Sequence, residues 1–332
     1  MSKIDLHHGD CREVLRTLPE SSVHCVVTSP PYFGLRDYGV DGQIGLEQTP
    51  DEYVAEMVKV FREVRRVLRD DGTLWLNLGD SYNTQPAGNK KPCGFSQTRP
   101  SRVSGNGDQE TVNTGRSLVK GMKKKDLIGI PWRVAFALQA DGWFLRQDII
   151  WHKPNAMPES VRDRCTKAHE YIFLLSKSER YYFDNEAVKE DAIYEETRTG
   201  RVGAYQIRAM QSTGDGTTPT GVASRDLSKR NRRSVWTVAT KPFKGAHFAT
   251  FPPALIEPCI LAGCPKGGTV LDPFNGAGTT GLVCQRLGRN YIGIELNEEY
   301  LALTRRRLGL SEMVTDTAYD GVFDIVFDVF FG

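Results

Sequence analysis

The stretch Thr269-Val270-Leu271-Asp272-Pro273-Phe274-Asn275-Gly276-Ala277-Gly278-Thr279-Thr280 decides the architecture of this 332-residue chain. Its apolar opening, 269–271, reads as a short buried strand with a carboxylate directly after it; the glycines read as a loop where backbone can approach a ligand closely. Residues 280–287 then read as a helix. Strand, glycine loop and helix in that order are the unit of an α/β sheet, and such sheets bind ligands at the strand-to-loop transition. Working outward, 291–295 reads as the next strand, 298–308 as a closing helix and 253–262 as the helix before. Near the start, 4–6 and 23–27 read as strands around a short helix at 11–18. Thr49-Pro50-Asp51-Glu52 joins an N-cap, a first-turn proline and a capping-box glutamate. The helix it opens puts Val54, Met57, Val58, Phe61, Val64 and Leu68 on one face and is expected to stop at Asp71-Gly72. Strands are expected at 74–78, 144–151 and 171–175, a helix at 131–140, and an edge hairpin partner at 181–183. The alternation predicts an α/β fold: a mostly parallel, twisted sheet with helices on both faces, in one domain over 1–310.

Composition adds constraints. Net charge is only +2, so global basicity does not announce nucleic acid. Two segments do. Residues 85–125 carry nine Lys or Arg against two acids, and 198–233 carry eight against two. Both are rich in Gly, Ser, Thr and Asn and lack apolar periodicity, so a solvated loop competes with a phosphate-contacting surface for each. They define a basic loop insertion at 83–126 and a target-recognition region at 185–235. Seven cysteines at irregular positions make neither a metal-ligand spacing nor a disulfide framework. With no signal peptide or membrane span, a cytoplasmic location and no metal are expected. Cys259 and Cys264, within a helical pattern, read as buried thiols. In the tail, 311–332, Asp316, Asp320, Asp324 and Asp328 recur among Val, Ile and Phe, and a packing or self-association segment is the expectation.

A second segment at a strand end, Thr28-Ser29-Pro30-Pro31-Tyr32, supplies the chemistry. An exocyclic amine is a poor nucleophile because its lone pair is delocalised into the ring. The Ser29 hydroxyl and the Pro30 carbonyl are candidate acceptors that could hold such an amine, Pro31 stiffens the turn, and Tyr32 offers a face for a stacked base. The bland alternative is a proline pair that merely ends a strand. Rival readings of the glycine loop are weaker. Gly276-Ala277-Gly278-Thr279-Thr280-Gly281 satisfies G-x-G-x-x-G, with Glu295 nineteen residues beyond Gly276, as a nicotinamide dinucleotide site would. Such a turn begins on the glycine directly after the strand, however, whereas four residues intervene here. No lysine follows Gly278 or Gly281, which excludes a phosphate loop. A cysteine route to carbon methylation finds only Pro92-Cys93 and Pro258-Cys259, neither after a strand.

The two segments in this order resemble the β class of DNA amino-methyltransferases, which use S-adenosylmethionine (AdoMet). Gly9-Asp10-Cys11, Leu78-Gly79-Asp80-Ser81, and residues 148–154, 169–175, 247–252 and 291–300 extend the resemblance over residues 4–308. It implies a Rossmann-like methyltransferase fold, AdoMet as cofactor, and double-stranded DNA as partner, with a base flipped out of the duplex. Ser29, Pro30, Pro31 and Tyr32 are the implied catalytic residues. Around the cofactor it implies Gly276 and Gly278 for close approach, within the loop of Pro273 and Phe274. Glu295 would take the ribose hydroxyls and Asp272 the amino-acid portion, with Thr279 and Thr280 capping the next helix. Asp10 and Cys11 would lie near adenine, and Thr250 and Phe251 near the methionine end. Ser at the first motif position tilts the target toward cytosine N4, with adenine N6 the alternative. Lys123, Lys124, Lys125, Arg225, Lys229, Arg230, Arg232 and Arg233 are candidate DNA contacts. A homodimer, a cognate restriction endonuclease, an RNA or protein acceptor, and a DNA-binding protein that has lost catalysis stay open.

Overall fold

The structure is a computed structural model and describes residues 2–35, 37–84, 118–119, 121–192, 229–240 and 251–310. Ten strands occur among these residues: β1 Ile4–His8, β2 Val23–Thr28, β3 Leu68–Leu78, β4 Phe144–His152, β5 His169–Ser176, β6 Glu190–Asp191, β7 Lys229–Arg230, β8 Val235–Thr237, β9 Thr269–Asp272 and β10 Asn290–Glu295. The helices are α1 Cys11–Thr17, α2 Pro50–Val67, α3 Ile130–Ala140, α4 Pro253–Gly263, α5 Thr279–Leu287 and α6 Glu298–Arg307. Eight strands form one sheet in the order β1-β10-β9-β2-β3-β5-β4-β8. The run from β1 to β3 is parallel, β5 is antiparallel to both β3 and β4, and β8 runs parallel to β4.

Period-two alternation sorts the side chains into two cores. Val26, Leu74 and Leu76 face Leu15, Met57, Phe61, Val64, Val134 and Leu138 of α1, α2 and α3. Cys25, Val27 and Trp75 face Leu255, Ile256, Cys259 and Val283 of α4 and α5. The capping box at the start of α2 is complete: Glu52 N donates to Thr49 Oγ1 at 3.2 Å and Thr49 N to Glu52 Oε2 at 3.0 Å.

Several expectations need correction. Asp71-Gly72 does not end α2; the helix stops at Val67 and Leu68 starts β3, whose first residue pairs with Val23. Residues 181–183 form no strand: Tyr182 N donates to Asp71 O at 2.8 Å, and Phe183 stacks on Trp75. Cys264 caps the C-terminus of α4 instead of lying within it, although its thiol is buried as expected. The short edge strand β8 was not anticipated. The tail 311–332 lies outside the described residues.

Both insertions leave from anchored roots. Tyr82 bridges Leu127, and the buried Asn83 side chain binds the carbonyls of Met122 and Lys123 and the amide of Val119, closing the base of 85–117. The antiparallel β6–β7 ribbon pairs Glu190 with Arg230 and Asp191 with Lys229, closing the base of 193–228.

Candidate active site

Because β1, β10, β9, β2 and β3 are parallel, their C-terminal ends share one edge of the sheet, and β5 begins there. β2 and β9 are direct neighbours. The two motifs therefore touch: Thr28 Oγ1 donates to Asp272 Oδ1 and Thr280 Oγ1 to Asp272 Oδ2, each at 2.7 Å, with Phe274 N on Oδ1 at 3.1 Å. Asp272 is 1 % exposed. Burial pushes its carboxyl up to about 6 against these three donors. The sequence suggests Asp272 as a contact for the cofactor's amino-acid end; both its oxygens are engaged in joining the strands, and it forms the floor of the cleft above them.

That cleft has a volume of about 330 Å³. Gly9, Asp10 and Cys11 line it from β1–α1, Ser29 to Tyr32 from β2, Asp272 to Ala277 from β9, and Ile294 to Asn297 from β10. Phe251, Thr279 and Tyr300 complete its wall. Glu295 Oε2 accepts from Gly276 N at 2.7 Å and Oε1 from Asn297 N at 2.9 Å. Burial pushes its carboxyl up to about 7 in spite of those amides. Each oxygen keeps a further lone pair for a ligand hydroxyl. Gly276, at φ +53°, carries no atom closer than 3.9 Å to where a Cβ would stand, so it cradles open space beside Glu295. A carboxylate acceptor, a glycine cradle and apolar walls fit AdoMet: Glu295 would hold the ribose hydroxyls, and Phe274, Ile294 and Tyr300 would flank the adenosine.

Other assignments shift. Gly278, at φ +73°, meets Thr304, whose Cγ2 lies 2.5 Å from a Cβ placed there, so its missing side chain serves the packing of α6. Gly281 likewise packs on Tyr291. Thr279 and Thr280 do not cap α5; they are its first residues, Gly278 is the N-cap, and no side chain caps it. Asp10 caps α1, taking Arg12 N at 2.8 Å and pairing with the Arg12 guanidinium at 2.5 Å. Burial works to raise its carboxyl, and Arg12 outweighs that to hold it below the usual carboxylate range. Burial pushes the Cys11 thiol up to about 12, so it is an apolar surface, not a nucleophile. Thr250 lies outside the described residues.

Sequence reasoning missed the segment after Tyr32. Leu35, Tyr38, Val40, Gly42, Gln43 and Ile44 also line the cleft, and Tyr38 meets Tyr300 edge-on at 6.4 Å. Arg12 Nη2 holds this segment by donating to Gly42 O at 2.9 Å. The available signal was Gly34, Gly39, Gly42 and Gly45, all at positive φ.

At the other end of the cleft, Ser29 Oγ donates to the Tyr32 hydroxyl at 3.4 Å. That hydroxyl lies 2.8 Å from Glu170 Oε2 and 3.2 Å from Asn77 Oδ1. Burial, followed by the Glu170 charge, pushes the Tyr32 phenol well above its ordinary value, so it stays protonated. Tyr53 donates to Pro31 O at 2.9 Å and fixes the turn. Gly79 lets the tyrosine ring lie against backbone, since a Cβ there would stand 2.5 Å from Tyr32 Cε2. Tyr32 is half-buried and lines the cleft, as a stacking surface must. Glu170, also on the cleft wall, was not anticipated; it pairs with Lys153, whose ammonium sits 4.2 Å over the Trp151 ring.

The basic residues are mixed in environment. Lys123 and Lys124 are exposed, and Lys125 pairs with Asp163 at 2.6 Å. Arg230 and Arg233 both bind Glu190, Lys229 binds Asp191, and Arg232 lies over the Trp236 ring at 4.7 Å. Arg225 is outside the described residues.

Comparison with known proteins agrees with this fold. A DNA methylase family model, that of the N6/N4 methyltransferases, matches residues 23–306. The chain is 50 % identical over 303 residues to the Type II methyltransferase M.Cfr9I of Citrobacter freundii, covering 91 % of this chain and 87 % of that protein. The solved PvuII DNA methyltransferase (cytosine-N4-specific) superposes with a TM-score of 0.61 at 22 % identity, over 95 % of this chain and 89 % of that one. M1.HpyAVI, solved as its SAM complex, gives 0.51 at 18 %, over 92 % of this chain and 100 % of that one. The chain belongs to the N6/N4 DNA methylase family, the β-class amino-methyltransferases of DNA that take their methyl group from AdoMet.

Proposed function

We propose that this DNA methyltransferase methylates the exocyclic N4 of cytosine within a specific sequence, on a base turned out of the duplex into the cleft. The observation that carries this is Ser29: the first residue of the catalytic turn is a neutral hydroxyl, and it opens onto the same cleft as Glu295. Ser at this position tilts the family toward cytosine N4, and the cytosine-N4-specific designation of the PvuII enzyme supports the same choice. When bound, AdoMet supplies an electrophilic methyl on a sulfonium. The chain supplies acceptors and a platform. Ser29 Oγ and the Pro30 carbonyl hold the two amine hydrogens and draw the nitrogen toward tetrahedral geometry, which frees its lone pair. Tyr32 stacks on the extruded ring; such stacking contributes about 1–3 kcal/mol per base, which offsets much of the few kcal/mol that flipping costs. Positioning and oriented acceptors then lower the barrier. Relatives of the Type II class support a companion restriction endonuclease as a partner.

The test is a nucleoside chromatogram of unmethylated DNA after incubation with the protein and AdoMet. N4-methylcytosine is expected; N6-methyladenine alone would assign the enzyme to adenine.

A further inference from the structure

We infer that Glu170 is a positioning residue that sets the direction of the hydrogen bonds ending on Ser29, so that Ser29 shows the target amine an acceptor and not a proton. A hydroxyl can point its hydrogen either way, and a hydrogen aimed at the amine would repel it. Something must fix the choice.

The geometry fixes it from behind. Asn77 Nδ2 donates to Tyr171 O at 3.0 Å, which turns the Asn77 oxygen toward the Tyr32 hydroxyl. The Glu170 carboxylate, held by the Lys153 ammonium on its other oxygen, presents only acceptors. Tyr32 thus faces two acceptors, Glu170 Oε2 at 2.8 Å and Asn77 Oδ1 at 3.2 Å, and its one hydrogen is committed to them. Among the described residues, the group placed to donate to the Tyr32 oxygen is Ser29, at 3.4 Å. Its hydrogen turns inward and its lone pairs turn to the cleft. The polarity runs from Ser29 through Tyr32 to Glu170, and a half-buried carboxylate anchored by a lysine cannot reverse it. Lys153 and Glu170 side chains are 19 % and 16 % exposed, so water competes little for these bonds.

This rests on the reading of Ser29 as an amine acceptor, and the variants separate the two. In Glu170→Gln, Lys153 claims the amide oxygen, the NH₂ swings to the Tyr32 oxygen and competes with Ser29 for it. Single-turnover methyl transfer from labelled AdoMet, on DNA from a methylation-deficient bacterium, should slow about 10- to 100-fold, less than the roughly 100- to 1,000-fold that outright removal of one oriented group costs, because Ser29 is misdirected and not removed. The AdoMet Kd, read by calorimetry, should not move. Adding Lys153→Met frees the amide to turn its oxygen to Tyr32, and the double variant should return to within about threefold of wild type. In a Tyr32→Phe background, which cuts the chain at its middle, Glu170→Gln should add less than about a twofold loss. A wild-type rate for E170Q, or a loss that K153M does not repair in protein that still binds AdoMet, overturns the inference. Ser29→Ala at full activity would instead sink the reading of Ser29 itself.

Discussion

Glu295 stands at the end of β10 with two backbone amides on its oxygens, yet burial pushes its carboxyl up to about 7. The sign of the consequence differs for folding and for binding. A carboxyl raised in the folded protein stabilises it fully below the unfolded value of 4.5, and that contribution is lost as pH rises through about 7. Ribose hydroxyls, in contrast, donate to the carboxylate, so AdoMet favours the ionised form. The AdoMet Kd should therefore weaken about tenfold from pH 8 to pH 6, with a proton released on binding near neutrality. Calorimetry in buffers of different ionisation enthalpy measures both. Glu295→Gln should flatten the pH dependence; a slope that survives in E295Q would place the titrating group elsewhere. Glu295 was legible in sequence because an acidic residue closes a short apolar run. Glu170 was not, because its partners Tyr32, Asn77 and Lys153 come from three other segments and meet only in the folded sheet.

Strand pairing creates the site at the next scale. Thr28 ends β2, Asp272 ends β9 and Thr280 lies in the first turn of α5, and one carboxylate ties all three. Thr28→Val keeps the shape but leaves a buried oxygen with only the Phe274 amide, so it should cost about 1–3 kcal/mol and raise Asp272 further. Denaturant unfolding measures the first; a wild-type midpoint would show that the tie contributes nothing. The strands β2, β9 and β10 were legible because each is a short apolar run bounded by glycine or proline. The boundary of α2 was misread for the same kind of reason. Asp70-Asp71-Gly72 has the local chemistry of a turn, but pairing of Leu68 with Val23 starts the strand earlier. β8 is three residues long and owes its strand form to the exposed edge of β4, a partner more than eighty positions away. The cleft segment after Tyr32 lacks periodicity altogether, and its glycines show only that it turns.

For the whole molecule, the parallel order brings the strand ends that build the cleft to one edge, and the segment 83–126 follows β3 from that edge. No helix among the described residues is long and apolar enough to cross a membrane. The root of the second insertion bears on how recognition and catalysis are divided. Arg230 and Arg233 converge on Glu190 and Lys229 on Asp191, so much of the basic charge nearest the root is engaged in holding the ribbon. Their neutralisation would loosen that ribbon as well as any phosphate contact. A cleaner variant removes what lies beyond it. Asp191 and Lys229 are cross-strand partners, so replacing residues 193–228 with a turn of about four residues closes the ribbon without moving its strands. The shortened protein should unfold at a temperature close to that of the full chain and bind AdoMet with unchanged Kd, because the cleft residues all lie outside the deletion. Methylation of DNA should fall at least a hundredfold, about 3 kcal/mol, comparable to losing contacts to one or two base pairs. The salt dependence of residual DNA binding should flatten, since released counterions scale with phosphate contacts. Sequencing of the modified sites gives the opposing outcome: full activity on an unchanged target sequence would move recognition to the loop at 83–126.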